Sequence, residues 1–280
     1  MYPRAFDYVA AASIEEAVRE LDDADFAKVM SGGMSLIPMM KLRLLSPDVV
    51  VDIGGVRGLD TITSNGDFTI GALVTHETTA ASELPTALKM AASWTGDRQV
   101  RARGTTCGAV AHADIAADQP AAVLALGATM VVQGPRGMRE IASDDFFLDA
   151  LTSALEPNEI LTSIRIPNRG GGSAYDKLGR RGGHTDYAVA GAAAWVTMSD
   201  GSVADARIAL TGVGLKPELA SAAMEAIVGT DGSDTAVKAA AEHAVDATTV
   251  IEDLYGSVDY KSHLARVMVG RALAQAIAAA

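Results

Sequence analysis

The chain has 280 residues, 49% of them hydrophobic, enough for two domains or one large one with a substantial core. A formal net charge of -12 with no run of Lys or Arg excludes a nonspecific attraction to nucleic acid or to an anionic membrane surface. One cysteine excludes an internal disulfide and a private iron-sulfur cluster, which takes four protein ligands.

The N-terminal Met1-Tyr2-Pro3-Arg4 lacks a basic segment leading into an apolar core, and no stretch of about 18 apolar residues occurs. A cytoplasmic protein is expected, with a peripheral place at the inner membrane face also compatible. Ser13-Ile14-Glu15-Glu16 has the form of a capping box, and Ala17, Val18 and Leu21 give an apolar face, so a helix is predicted over 13–22. A strand at 26–30 then enters a glycine loop, followed by a helical turn at 36–42. Strands at 49–53 and 68–73 and a helix at 84–94 continue the alternation, which predicts an α/β region. After a second glycine loop come a helix at 121–126, a hairpin of 128–133 with 138–141, and a strand at 159–167.

Asn168-Arg169-Gly170-Gly171-Gly172 reads as a linker, because consecutive glycines are costly inside a helix or strand. This divides the chain into domains 1–170 and 173–280. Strands at 173–178, 188–198 and 203–210 follow, the last two joined by a turn at Ser199-Asp200-Gly201-Ser202, and then helices at 217–228, 235–246 and 260–278. Strands first and helices afterwards predict an α+β unit with its helices on one sheet face.

Two loops stand out: Ser31-Gly32-Gly33-Met34-Ser35 and, about seventy residues later, Gly104-Thr105-Thr106-Cys107-Gly108. Glycine lets backbone N-H groups come close to a phosphate, and Ser or Thr hydroxyls add donors. Either loop alone is also compatible with an ordinary tight turn. The local cations Lys41, Arg43, Arg98, Arg101, Arg103, Arg180 and Arg181 matter more to a dianionic ligand than the net charge, which salt screens beyond about 8 Å. His112 and Asp114 are the nearest approach to a metal pair.

The run from Ser31 to Arg43, with Leu36-Ile37-Pro38-Met39-Met40 at its centre, and Gly96-Asp97-Arg98-Gln99-Val100-Arg101-Ala102-Arg103-Gly104-Thr105 resemble the FAD-binding medium subunit of molybdenum hydroxylases. The carbon monoxide dehydrogenase type is nearest. Ala174-Tyr175-Asp176-Lys177-Leu178-Gly179-Arg180-Arg181 and Asp186-Tyr187-Ala188-Val189-Ala190-Gly191 extend the resemblance, in order, over essentially the whole chain. It implies an FAD-binding domain of the PCMH or vanillyl-alcohol-oxidase type in two α/β subdomains, followed by a smaller C-terminal domain. It also implies partners: a large subunit carrying a molybdenum-cytosine dinucleotide and a small subunit carrying two [2Fe-2S] clusters, in a dimer of heterotrimers. The acceptor would be a quinone, NAD or oxygen.

By the same resemblance Ser31, Gly32, Gly33, Met34, Ser35 and Leu36 would wrap the FAD pyrophosphate together with Thr105, Thr106, Cys107, Gly108 and Ala109. Asp118 and Leu161 would lie near the cofactor, Lys177 would favour its anionic reduced form, and Tyr187 would cover the isoalloxazine. Ordinary readings stand beside these: a helix-start carboxylate, a core leucine, a solvated lysine and an interface or core tyrosine. Two positions depart from the family pattern. Cys107 replaces a glycine, which at positive φ would cost on the order of 1 kcal/mol, and Ala109 replaces a polar residue. The departures suggest a second possibility, an assembly subunit with weakened flavin binding. Met34 stands where the family has His, and Cys107 would be reactive if exposed near arginines. An independent NAD-dependent dehydrogenase is disfavoured, because the first loop lacks the third glycine of the dinucleotide fingerprint.

Overall fold

A computed structural model describes residues 2–280. The chain begins with β1 (Asp7–Ala10), α1 (Ile14–Asp23), β2 (Ala27–Met30), α2 (Leu36–Lys41) and β3 (Val49–Asp52). These strands form a parallel sheet in the order β1-β3-β2, with Val50 paired to Tyr8 on one side and Lys28 on the other. Ser13 caps α1 by accepting the Glu16 amide at 3.2 Å, while the Glu16 carboxylate accepts from the amide of Ala12 at 2.7 Å, one residue earlier than a reciprocal capping box places it. Ala17, Val18 and Leu21 are buried, as their spacing predicts.

The next stretch carries β4 (Ile62–Asn65), β5 (Asp67–Gly71), α3 (His76–Ala80), α4 (Thr86–Ser93), α5 (Arg98–Arg101), α6 (Thr106–His112) and α7 (Asp118–Ala125). It continues with β6 (Thr129–Gly134), β7 (Gly137–Ala142), α8 (Ser143–Phe146), β8 (Phe147–Asp149), β9 (Thr152–Ser153) and β10 (Ile160–Ile166). The sheet order is β4-β5-β10-β6-β7, and every pairing is antiparallel. The α/β alternation expected throughout this half therefore gives a parallel sheet only in the first three strands.

The C-terminal part comprises β11 (Gly172–Gly179), β12 (Ala188–Ser199), β13 (Ser202–Thr211), β14 (Glu218–Leu219), α9 (Ser221–Ile227), α10 (Asp234–Glu242) and α11 (Val258–Ala278). Its four strands are antiparallel in chain order, and the hairpin turn has positive φ at both Asp200 and Gly201, at 51° and 75°. Side chains alternate across this sheet. Ala192, Ala194, Val196, Ile208 and Leu210 join the core under α9, α10 and α11, whereas Tyr175, Ala193, Trp195 and Ala209 join the core of the preceding half. The sheet's own helices lie on one face, as expected for this α+β fold, and α4 and α7 cover the other.

Gly171 and Gly172 are not slack. Gly172 is the first residue of β11, where a Cβ would lie 2.0 Å from the Ala276 carbonyl oxygen. Gly171 has φ +80° and would bring a Cβ within 2.3 Å of the Val196 carbonyl oxygen. These glycines serve close backbone approach rather than flexibility. Among the described residues no helix is long and apolar enough to cross a membrane.

Candidate cofactor site

The first glycine loop leaves β2 at the end of the parallel sheet and turns into α2. Gly32 rests on the backbone of the second loop, so closely that a Cβ would fall 2.0 Å from the Arg103 carbonyl oxygen. Gly33 has φ +73°, a conformation that L side chains adopt only with strain. The hydroxyls of Ser31 and Thr105 are hydrogen-bonded at 2.9 Å, tying the loops together across 74 positions of sequence. Gly108 makes room for this pair, since a Cβ there would lie 2.5 Å from Thr105 Oγ1 and 3.0 Å from Ser31 Oγ.

Between these loops and the segment 151–161 lies an open cleft of about 480 Å³. Among the described residues, the amides of residues 31 to 36 have no protein acceptor, and Ser35 makes no capping bond with its side chain. A run of N-H groups with no internal partner is stable only against water or a ligand oxygen, because each one buried and unmet costs about 1–3 kcal/mol. Such a run suits the oxygens of a pyrophosphate, and the glycines keep its approach clear.

The second loop differs from its expected form. Thr105 is the N-cap of α6, accepting the Gly108 amide at 3.2 Å, and residues from Thr106 onward are helical. Cys107 therefore has no positive φ, and the strain expected of a cysteine there does not arise. Its Sγ lies 3.5 Å from the carbonyl oxygens of Ile70 and Gly71, and burial pushes its thiol up to about 12, so it is unreactive rather than activated. Ala109 donates its amide to the Thr105 carbonyl in the same helical turn. The glycine this turn needs is Gly108, which is present, so neither departure from the family pattern distorts the backbone.

Ser31 to Leu36, Thr105, Cys107, Gly108, Ala109 and Leu161 all line the one cleft. Thr106 does not: its amide goes to the Val74 carbonyl and its hydroxyl pairs with Thr79 at 2.7 Å in the interior. Leu161 is also a core residue of β10. Asp118 and Lys177 are brought together behind the cleft wall. Asp118 opens α7, a helix buried along its whole length, and accepts from Lys177 Nζ at 2.6 Å and from the Tyr175 hydroxyl at 2.5 Å.

Lys177 Nζ also donates to the Trp94 carbonyl at 3.1 Å and its side chain is fully buried, so it is not a solvated charge. Burial raises the Asp118 carboxyl above its ordinary range, opposed by the Lys177 ammonium and its hydrogen bond. Burial, with the Asp118 charge, raises the Tyr175 phenol well above 10.

Tyr187 stands apart from both groups, 43% exposed, with the Arg180 guanidinium 5.1 Å from its ring centroid. Arg180 is also 4.3 Å from the Tyr255 ring, and its Nε is buried without a protein partner.

The sequence reading did not single out His76, Thr95 and Gln119. Gln119 Nε2 lies 2.6 Å from Thr95 Oγ1 and 3.2 Å from His76 Nδ1, and Thr95 Oγ1 lies 2.8 Å from the Ala91 carbonyl oxygen and 3.4 Å from Asp118 Oδ2. A continuous polar chain thus runs from the Asp118 cluster to His76, which lines the cleft. Burial, helped by the Arg101 charge, lowers the His76 imidazole to about 4. The usable signal was Thr75 as a helix cap directly before a histidine that follows a strand.

Comparison with known proteins places this architecture. Residues 4–169 match the FAD binding domain in molybdopterin dehydrogenase, and residues 173–276 match the CO dehydrogenase flavoprotein C-terminal domain. The chain is similar to the 6-hydroxypseudooxynicotine dehydrogenase complex subunit alpha of Paenarthrobacter nicotinovorans, at 37% identity over 99% of this chain and 96% of the relative. It is similar to the carbon monoxide dehydrogenase medium chain of Hydrogenophaga pseudoflava, at 38% identity over 98% and 97%. A solved structure of carbon monoxide dehydrogenase from the same organism, lacking the Mo-pyranopterin moiety of its molybdenum cofactor, superposes with a TM-score of 0.93 at 40% identity, covering 99% of each chain.

Proposed function

The chain belongs to the FAD-binding medium subunits of molybdenum hydroxylases, oxidoreductase subunits of the carbon monoxide dehydrogenase type, and from this we propose that it relays electrons from an iron-sulfur subunit through FAD to an external acceptor. The observation that carries the reading is the run of unpartnered amides at 31–36, beside Thr105 and Gly108 on the same wall of the cleft.

FAD, when bound, supplies a ring that takes up electrons singly and gives them up as a pair. The amides and hydroxyls of Ser31 to Leu36, with Thr105 and Gly108, hold the pyrophosphate. Cys107 and Ala109 contribute backbone to that wall, and Leu161 closes its apolar side. Lys177 sets a fixed positive charge behind the site, and its charge is held in place by Asp118. Tyr187, with Arg180 against its ring, meets the isoalloxazine. The two domains are 1–170 and 173–280.

The single cysteine leaves iron-sulfur chemistry to another chain. A small subunit with two [2Fe-2S] clusters and a large subunit with a molybdenum-cytosine dinucleotide complete the assembly, as a dimer of heterotrimers. It works in the cytoplasm, at the inner membrane face when the acceptor is a quinone, or passes electrons to NAD or oxygen.

The test is a visible absorption spectrum of the chain and its native complex, with the released cofactor identified chromatographically, followed by stopped-flow reduction with substrate. Flavin peaks, released FAD and reduction at turnover speed are expected. A colourless complex that does not recover on adding FAD overturns the reading.

A further inference from the structure

We propose that His76 is a cofactor-binding residue: its Nε2-H, held in one tautomer by Gln119, donates into the cleft beside the two glycine loops to a pyrophosphate oxygen. The inference rests on the FAD reading above, and the direction of each proton follows from the groups around it. Thr95 has a single hydroxyl proton, and both acceptors near it, the Ala91 carbonyl at 2.8 Å and Asp118 Oδ2 at 3.4 Å, have none to give. Thr95 therefore donates to one of them and must accept from Gln119, 2.6 Å away.

That fixes the amide nitrogen of Gln119 toward Thr95. The same nitrogen lies 3.2 Å from His76 Nδ1, so its second N-H is donated there and Nδ1 is the unprotonated ring nitrogen. The remaining proton sits on Nε2. This edge of the ring packs on the second loop at Gly104, where a Cβ would lie 2.9 Å from Cδ2 and 3.1 Å from Nε2. The Gly104 Cα lies in turn within 2.9 Å of a Cβ placed on Gly32, so the ring edge sits beside the junction of both loops.

Among the described residues Nε2 has no hydrogen-bond partner, and His76 lines the cleft. Its own amide, bonded to the Gly104 carbonyl at 2.9 Å, anchors it against that loop. His76 thus adds a side-chain donor to a site otherwise made of backbone amides and hydroxyls, and Gln119 acts as its positioning residue. A neutral donor also carries no charge that would have to be desolvated when FAD binds.

The experiment measures FAD affinity by flavin fluorescence on the flavin-stripped native complex, for the wild type, His76→Leu and His76→Gln, alongside thermal unfolding of the flavin-free forms. His76→Leu is expected to weaken FAD binding by about 10–100-fold, the scale of one hydrogen bond to a charged acceptor. His76→Gln, which keeps an N-H donor, should stay within a few-fold of wild type, and the flavin-free forms should all remain folded. Leu binding as tightly as wild type overturns the assignment, as does an equal loss in Leu and Gln accompanied by a matching drop in unfolding temperature, which makes His76 a packing residue. A wild type that takes up no FAD overturns both this assignment and the functional reading.

Discussion

The wall of the cleft and the polar cluster behind it use similar groups in opposite ways. At the wall, the amides of residues 31 to 36 have no protein acceptor, and the glycines at 32, 33 and 108 keep side chains out. In the cluster, Asp118, Lys177 and Tyr175 are all buried and each is hydrogen-bonded within the protein. Donors at the surface are open to water or to a ligand oxygen, whereas the same donors in the interior must be satisfied by the fold itself. The cluster ties α7 to β11, and the wall stays available.

The strongest way to break this contrast is at the cluster. Asp118→Leu leaves the Lys177 ammonium, fully buried, with only the Trp94 carbonyl, and should destabilise by about 3–5 kcal/mol in denaturant unfolding. Adding Lys177→Met should recover at least half of that loss, since the uncompensated charge is gone; no recovery would mean that the pair's contribution is packing rather than charge.

The next effect is on pH dependence. His76 titrates at about 4 when folded and near 6.5 when unfolded, so the unfolded chain binds the proton more readily. Its contribution is fully present above pH 6.5 and is lost as pH falls toward 4. From pH 7 to pH 5 this amounts to about 2 kcal/mol, measured as the change in unfolding free energy that is present in the wild type and absent in His76→Gln.

At the wall the order of effects reverses. Gly33→Val should cost only about 1–2 kcal/mol in stability, for the strain of φ +73° and contacts at 3.3 Å and 3.4 Å with Ile37 and Met30, yet remove most bound FAD from the purified complex. Full flavin content in this variant would show that the first loop does not hold the cofactor. The smallest effect is at Cys107, whose buried thiol should fail to react with a disulfide reagent until the chain unfolds, and whose replacement by Ala should leave FAD content unchanged.

What the sequence made legible follows the same line between local and distant interactions. The strand β12 is apolar without a break from Ala188 to Val196 and α1 carries its own cap, so both are readable within about a dozen residues. The strands β1, Asp-Tyr-Val-Ala, and β4, Ile-Thr-Ser-Asn, were missed, because these edge strands are short and only partly buried and their pairing partners define them. The second loop looked like a turn because Gly108 lowers helix propensity, and the need for that glycine appears only when Ser31 arrives from 74 residues away. The loops 31–35 and 104–108 stand out by composition, and Leu36 and Ala109 come only from the family resemblance. The chain of His76, Gln119 and Thr95 was not found, since nothing in their spacing marks three polar residues from separate elements as neighbours.

The four-stranded sheet has one further consequence, for inheritance. Asp118 belongs to the segment that matches one family and Lys177 to the segment that matches the other, so the charge pair is shared between the two matched segments. An exchange of either unit with a relative would transplant half of a buried pair. Only a donor that carries the matching acid or base makes the exchange without leaving a stranded charge in the interior.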